Sequence, residues 1–171
     1  KHLEETIKYP TDATNKIQEW FRDKRGMKKK GFRLTEQEYS KHRPEIVKKF
    51  QYMIKNKGKI PLEMQTKKFA QRVLPPGEWG DEGPNITATS LPDDYVHYEQ
   101  PRIPTVREWA RIQTFPDWYE FRGKRTTGGR RRAGDPDKGE WEREVPKYTQ
   151  IGNSVPVLLA KAIGEHLRSF V

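Results

Sequence analysis

Gln150-Ile151-Gly152-Asn153-Ser154-Val155-Pro156 sets small polar side chains and bare backbone directly before a stretch with helical periodicity. Pro156 suits the first turn of a helix, where a missing N–H costs nothing. A helix that starts there presents unpaired amides and a partial positive charge, a ready seat for a carboxylate or phosphate. The same residues also serve as an ordinary turn and N-cap, and a lone Gly-Asn-Ser does not separate the two readings. A second stretch, Arg102-Ile103-Pro104-Thr105-Val106-Arg107-Glu108-Trp109-Ala110-Arg111-Ile112-Gln113-Thr114-Phe115-Pro116-Asp117, packs several charges onto a short helical pattern. Elsewhere, Lys24-Arg25-Gly26-Met27-Lys28-Lys29-Lys30 and the stretch Arg122 to Arg132 offer cations with interspersed glycines. Such loops can contact phosphates without reading base sequence, or can simply face solvent. His42 has no other His or carboxylate at metal-ligand spacing and reads as a packing or surface residue; no metal is expected.

Elements must position these groups. After Pro156, Leu158, Leu159, Ala162, Ile163, Leu167 and Phe170 form one helical stripe that must pack on something. Thr105 and Glu108 have capping-box spacing, Val106, Trp109, Ala110 and Ile112 give the short helix an apolar side, and Pro116 ends it. Thr35 to Lys57 reads as helix, with a capping box at Thr35/Glu38, Gly58 as C-cap and Pro44 as a point where it could divide. Leu62 to Leu74 is a further helical candidate, and a short amphipathic helix falls near residues 12–22. Asn85 to Leu91 and Tyr95 to Tyr98 alternate like two strands around Pro92-Asp93-Asp94, predicting an antiparallel hairpin. The expected fold is therefore α+β: helices through 35–74, a small antiparallel sheet near 85–98, and helices at 105–114 and 156–169.

Taken together, in order and spacing, the two motif-bearing stretches resemble the last two sequence motifs of DNA (cytosine-5) methyltransferases, in the Dcm-like branch. The family pattern is Arg-x-Leu-Thr-x-Arg-Glu-x-Ala-Arg-x-Gln-x-Phe-Pro-Asp, a loop, then Gln-x-Gly-Asn-[Ala/Ser]-Val-Pro and a closing helix. The match covers roughly residues 84–168, with Pro104 where the family often has Leu and Val157 where a second Pro is common. The resemblance implies that Asn153, Ser154 and Val155 border the amino-acid end of S-adenosylmethionine. It implies that the closing helix packs on a Rossmann-like catalytic domain. It makes Pro84-Asn85-Ile86-Thr87-Ala88 part of the target-recognition region, with Thr87 and Thr89 near DNA, although Ala88 replaces the usual Leu. Arg122, Lys124, Arg125, Arg130, Arg131 and Arg132, in a loop longer than many in the family, become candidate phosphate contacts. His97 matches a His that often precedes the Arg-Leu-Thr helix, where packing is the expected role.

Composition bounds this reading. The 171 residues carry a net charge of +10, 32% apolar and 34% charged residues, with a mean hydropathy of −1.08. That is thin for a self-contained α/β enzyme and fits a nucleic-acid partner. There is no Cys, which excludes disulfides, thiolate zinc sites and a Cys nucleophile within these residues. The family reaction requires such a nucleophile, an acid motif and a Gly-rich cofactor turn, and none of the three is present. The expectation is a C-terminal portion of a base-flipping methyltransferase, inactive alone. It comprises a recognition region with a basic segment (1–104), the helix and basic loop (105–149), and the cofactor-bordering turn and helix (150–171).

The expected partners are double-stranded DNA and the missing catalytic domain or subunit, most simply upstream of Lys1 in a longer chain. No membrane-spanning run is present, and a reducing cytoplasm and a restriction-modification setting are expected. Without the catalytic domain, the closing helix is expected to self-associate or to repack on the basic region. The rival readings are a non-catalytic nucleic-acid-binding module and part of an RNA cytosine-5 methyltransferase.

Overall fold

The computed structural model describes residues 9–23, 33–65, 71–74, 83–87, 91–126, 137, 139 and 145–170. The chain packs as two compact units, Tyr39–Thr105 and Lys1–Glu38 with Val106–Val171. The first 38 residues group with Val106–Val171.

In the unit Lys1–Glu38 with Val106–Val171, α1 spans Lys16–Phe21, and the Asn15 side chain caps it by accepting the Gln18 amide at 2.9 Å. The Tyr39–Thr105 unit is built on α2, Pro44–Lys55. Proline biases the residue before it away from the helical region, so Arg43 is extended (ψ 152°) and Pro44 becomes the first helical residue. The helix expected from residue 35 therefore starts nine residues late, and Glu36 takes a left-handed φ of 67° where a capping box was anticipated. At the far end the C-cap is Asn56, not the expected Gly58; Lys57 (φ 51°) and Gly58 (φ 87°) reverse the chain, and the Gly58 amide donates to the Met53 carbonyl at 2.7 Å. Phe50 and Met53 drive the helix into a core with Val73, Val96 and Ile103, edged by Ile54 and Ile60.

The sheet in this unit corrects the predicted hairpin. Strand β1 (Arg72–Val73) pairs with β2 (Tyr95–Val96) in parallel, in the register Arg72↔Tyr95 and Val73↔Val96. Between the two expected strands the chain coils into a helical turn, α3 (Leu91–Asp94). Pro92 and the paired carboxylates Asp93 and Asp94 suit a first helical turn better than a hairpin loop. Tyr95 and Val96 are both buried, the pattern of a strand covered on two faces, not of an alternating hairpin arm. Asn85 is tied in differently, its amide donating to the Tyr95 hydroxyl at 2.9 Å. Of the helix expected over 62–74, the described residues show a 3₁₀ turn at Leu62–Met64 and strand β1 at Arg72–Val73; residues 66–70 lie outside the described residues.

In the Lys1–Glu38 and Val106–Val171 unit, α4 (Val106–Ile112) buries Val106, Arg107, Trp109 and Ala110. It packs against α5 (Lys147–Gly152), which buries Tyr148 and Ile151. Gln150 to Gly152, anticipated as a turn, therefore end a helix. The closing helix α6 runs Val157–Arg168 with Pro156 as its N-cap, and it buries none of its residues. Its stripe lies open, Leu159 being 51% and Ile163 50% exposed. Repacking of α6 on the basic region is thus not what the chain does. No described helix is long and apolar enough to cross a membrane.

Candidate functional site

The site is assembled where α4 ends. Thr114 takes φ +59°, a left-handed conformation that favours glycine and costs a β-branched residue about 1–2 kcal/mol. The reversal it makes turns both the Gln113 carbonyl and the Thr114 hydroxyl toward the start of α6. The Val157 amide donates to the Gln113 carbonyl at 3.1 Å, and the Leu158 amide donates to Thr114 Oγ1 at 2.9 Å. The Gln113 side chain is buried, 4% exposed, and its Nε2 donates to the carbonyls of Ile151 (3.2 Å) and Ser154 (3.0 Å). Trp20 Nε1 fixes the reversal from the other side, donating to the Thr114 carbonyl at 2.8 Å. A helix whose N-cap is proline has no side chain of its own to satisfy its first amides. Here another segment of the chain supplies the acceptors.

This arrangement corrects the expected anion seat. Two of the amides that would hold a carboxylate or phosphate, those of Val157 and Leu158, are already bonded to residues 113 and 114. The residues before them form an edge. Asn153 and Val155 are exposed, whereas Ser154 is half-buried with its hydroxyl donating to the Ile151 carbonyl at 2.6 Å. Gln150 holds the edge in place, its amide donating to the carbonyls of Arg122 and Val145, both at 2.8 Å.

Most charges of the Arg-Glu-x-Ala-Arg helix are internal braces. Arg107, 2% exposed, donates to the carbonyls of Thr35 (3.2 Å), Pro116 (3.4 Å) and Tyr119 (2.9 Å). Burial pulls its pKa down, and Asp117 opposes that shift. Arg111 grips Asp117 through Nε and Nη2, at 2.9 and 2.8 Å, and Tyr9 donates to the same carboxylate at 2.6 Å. Burial lowers the Arg111 pKa, but the hydrogen bond and charge of Asp117 outweigh it, and the net shift is upward. Burial and then Asp117 push the Tyr9 phenol well above its ordinary range. In the Tyr39–Thr105 unit, Arg102 is buried over the Tyr39 ring.

The residues expected to meet DNA fall in several places. Arg122 and Lys124 are exposed, in a segment anchored by a bond from the Lys147 amide to the Lys124 carbonyl at 2.9 Å. Arg125 is partly engaged, donating to the Glu38 carbonyl at 3.3 Å. Thr87 is exposed in the Tyr39–Thr105 unit and donates to Asp94 at 2.5 Å. Thr89, Arg130, Arg131 and Arg132 lie outside the described residues, as does the run 24–30. His42 accepts the Ile103 amide and meets Phe50 edge-on, and His97 accepts the amides of Glu99 and Gln100. Both are packing residues, and the described residues hold no cluster suited to a metal ion. Sequence reasoning missed Gln113 and Thr114. Gln113 stands at the Gln of the Arg-x-Gln-x-Phe-Pro-Asp pattern, a signal of importance but not of this role, and Thr114 is marked only as a polar residue before Phe115-Pro116.

Residues 1–169 match the family described as C-5 cytosine-specific DNA methylase. The type II methyltransferase M.DdeI of Desulfomicrobium norvegicum is 44% identical over 80 residues, covering 47% of this chain and 17% of that protein. M.AquIB of Picosynechococcus is 30% identical over 136 residues, covering 80% of this chain and 88% of that protein. M.Eco47II of Escherichia coli is 38% identical over 86 residues, covering 48% of this chain and 16% of that protein. The chain thus spans about one-sixth of M.DdeI and M.Eco47II, but most of M.AquIB.

Proposed function

The chain belongs to the C-5 cytosine-specific DNA methylase family, and we propose that it supplies the C-terminal part of such an enzyme, its target-recognition region and closing helix. The activity served is transfer of a methyl group from S-adenosylmethionine to C5 of cytosine in double-stranded DNA. The observation that carries this reading is the joint between the two matching stretches: Gln113 and Thr114 hold residues 151–158 while α6 leaves its apolar stripe open. That stripe is the face for a catalytic portion, in the same polypeptide or a second one.

The cofactor, when bound, supplies the methyl group. Asn153, Ser154 and Val155 form one border of its site, and their backbone is fixed by Gln113 and Gln150. Arg122, Lys124, Arg125 and the undescribed Arg130, Arg131 and Arg132 contact phosphates, and Thr87 and Thr89 stand toward the DNA. With no Cys, these residues cannot form the thiolate adduct at cytosine C6, so the nucleophile comes from the catalytic portion. Within the family we assign it to the Dcm-like branch, on the resemblance of its last two motifs.

The test is assembly. Leu159→Glu with Ile163→Glu is expected to leave the fold of the chain unchanged, because both side chains are half-exposed. In the complete enzyme the same pair should abolish docking of α6 and with it methyl transfer. Full activity in the double variant would refute the docking role.

A further inference from the structure

In α2 the residues opposite Phe50 and Met53 are Lys48, Gln51, Tyr52 and Lys55, all exposed, and the chain continues into exposed Lys57 and Lys59. Exposed Lys41 and Arg43 lead into the helix. Residues 41–59 hold seven Lys or Arg and one acid, Glu45. Among the described residues no ion pair engages Lys48, Lys55, Lys57 or Lys59. Lys49, by contrast, is turned aside and donates to Gln71 at 2.7 Å.

We propose that this outward face of α2 is a second phosphate-contacting surface for duplex DNA, distinct from the loop that follows Phe121. The proposal rests on the DNA-directed function above and adds a location to it. A solvated helix face would account for scattered lysines, but the charges of this stretch of chain are segregated along the sequence. The span Pro75–Pro101 holds six acids and no Lys or Arg, whereas the α2 segment is almost wholly cationic. The exposed cationic face of α2 attracts a polyanion. At 1.5 Å per residue Lys48 and Lys55 stand about 10 Å apart along the axis. Duplex DNA offers one charge about every 1.7 Å of its own axis, so each cation finds a phosphate whatever the register. Tyr52, 45% exposed, places a hydroxyl donor between the two lysines. These contacts orient the unit and carry no base specificity.

The experiment is a fluorescence-anisotropy titration of a labelled duplex with the whole chain at about 50 and about 200 mM salt. The triple variant Lys48→Gln, Lys55→Gln, Lys59→Gln should lower the slope of log K against log salt by about 0.9 for each phosphate no longer neutralised. For three phosphates, the salt sensitivity over that fourfold range falls by about 40-fold. The triple replacement by Arg should keep the wild-type slope, and Lys161→Gln with Arg168→Gln on α6 should leave it unchanged. Should the triple variant misfold by circular dichroism, Lys55→Gln alone, with a slope change of about one, decides the point. A folded triple variant with the wild-type slope overturns the α2 surface while leaving DNA binding intact. A wild-type chain with no salt-dependent binding overturns the DNA-directed reading itself.

Discussion

Replacing Gln113 by Leu keeps the volume and burial of the side chain but removes both donors of its amide. The Ile151 carbonyl would still accept the amide and hydroxyl of Ser154, at 3.1 and 2.6 Å. It therefore loses a bond without being orphaned, at a net cost of about 1 kcal/mol. The Ser154 carbonyl loses its Gln113 donor in a half-buried position, which adds about 1–3 kcal/mol. The sum is about 2–4 kcal/mol, a large share of a domain's stability. Urea unfolding followed by tryptophan fluorescence reads the total. Hydrogen exchange resolves where it falls: the amides of Val157 and Leu158 should exchange faster, because the carbonyl and hydroxyl that hold them ride on the same reversal. A loss under about 0.5 kcal/mol, with unchanged exchange at 157 and 158, would refute the view that Gln113 holds the turn.

Arg107→Met strips donors from the carbonyls of Thr35, Pro116 and Tyr119. It should cost about 3–5 kcal/mol in chemical denaturation, and a change under about 1 kcal/mol would show that the buried guanidinium is dispensable. For Tyr9 the folded pKa lies above the unfolded value of 10.0. The unfolded chain therefore loses this proton first, so the stabilisation is complete below about pH 10 and declines as pH rises beyond it. Thermal midpoints compared on either side of pH 10 should show a steeper alkaline decline for the wild type than for Tyr9→Phe, and parallel curves would contradict the Tyr9–Asp117 bond.

The helices α4 and α6 were legible in the sequence because their apolar period is clear and Pro156 opens the second; α4 ends at Ile112, ahead of the Thr114 reversal, and not at Pro116. Regions governed by a single proline were misread. Pro44 overrode the Thr35/Glu38 capping box, and Pro92 turned an expected hairpin loop into a helical turn, leaving Tyr95 and Val96 to pair in parallel with Arg72 and Val73. Arg107 and Arg111 look like surface charges on a helical wheel. The burial of Arg107 and the grip of half-buried Arg111 on Asp117 are visible only once the carbonyls of 35, 116 and 119 and that carboxylate are folded around them. The order and spacing of the two motifs announced the site. Its joint rests on side-chain bonds spanning 38 to 44 residues, which no local pattern encodes.

The most direct measurement is transfer of labelled methyl from S-adenosylmethionine to duplex DNA, by this chain alone and by the chain joined to a Cys-bearing catalytic portion. The account predicts no transfer in the first case and transfer to cytosine C5 in the second. Methyl transfer by the isolated chain, or a catalytic portion equally active without it, would contradict the account.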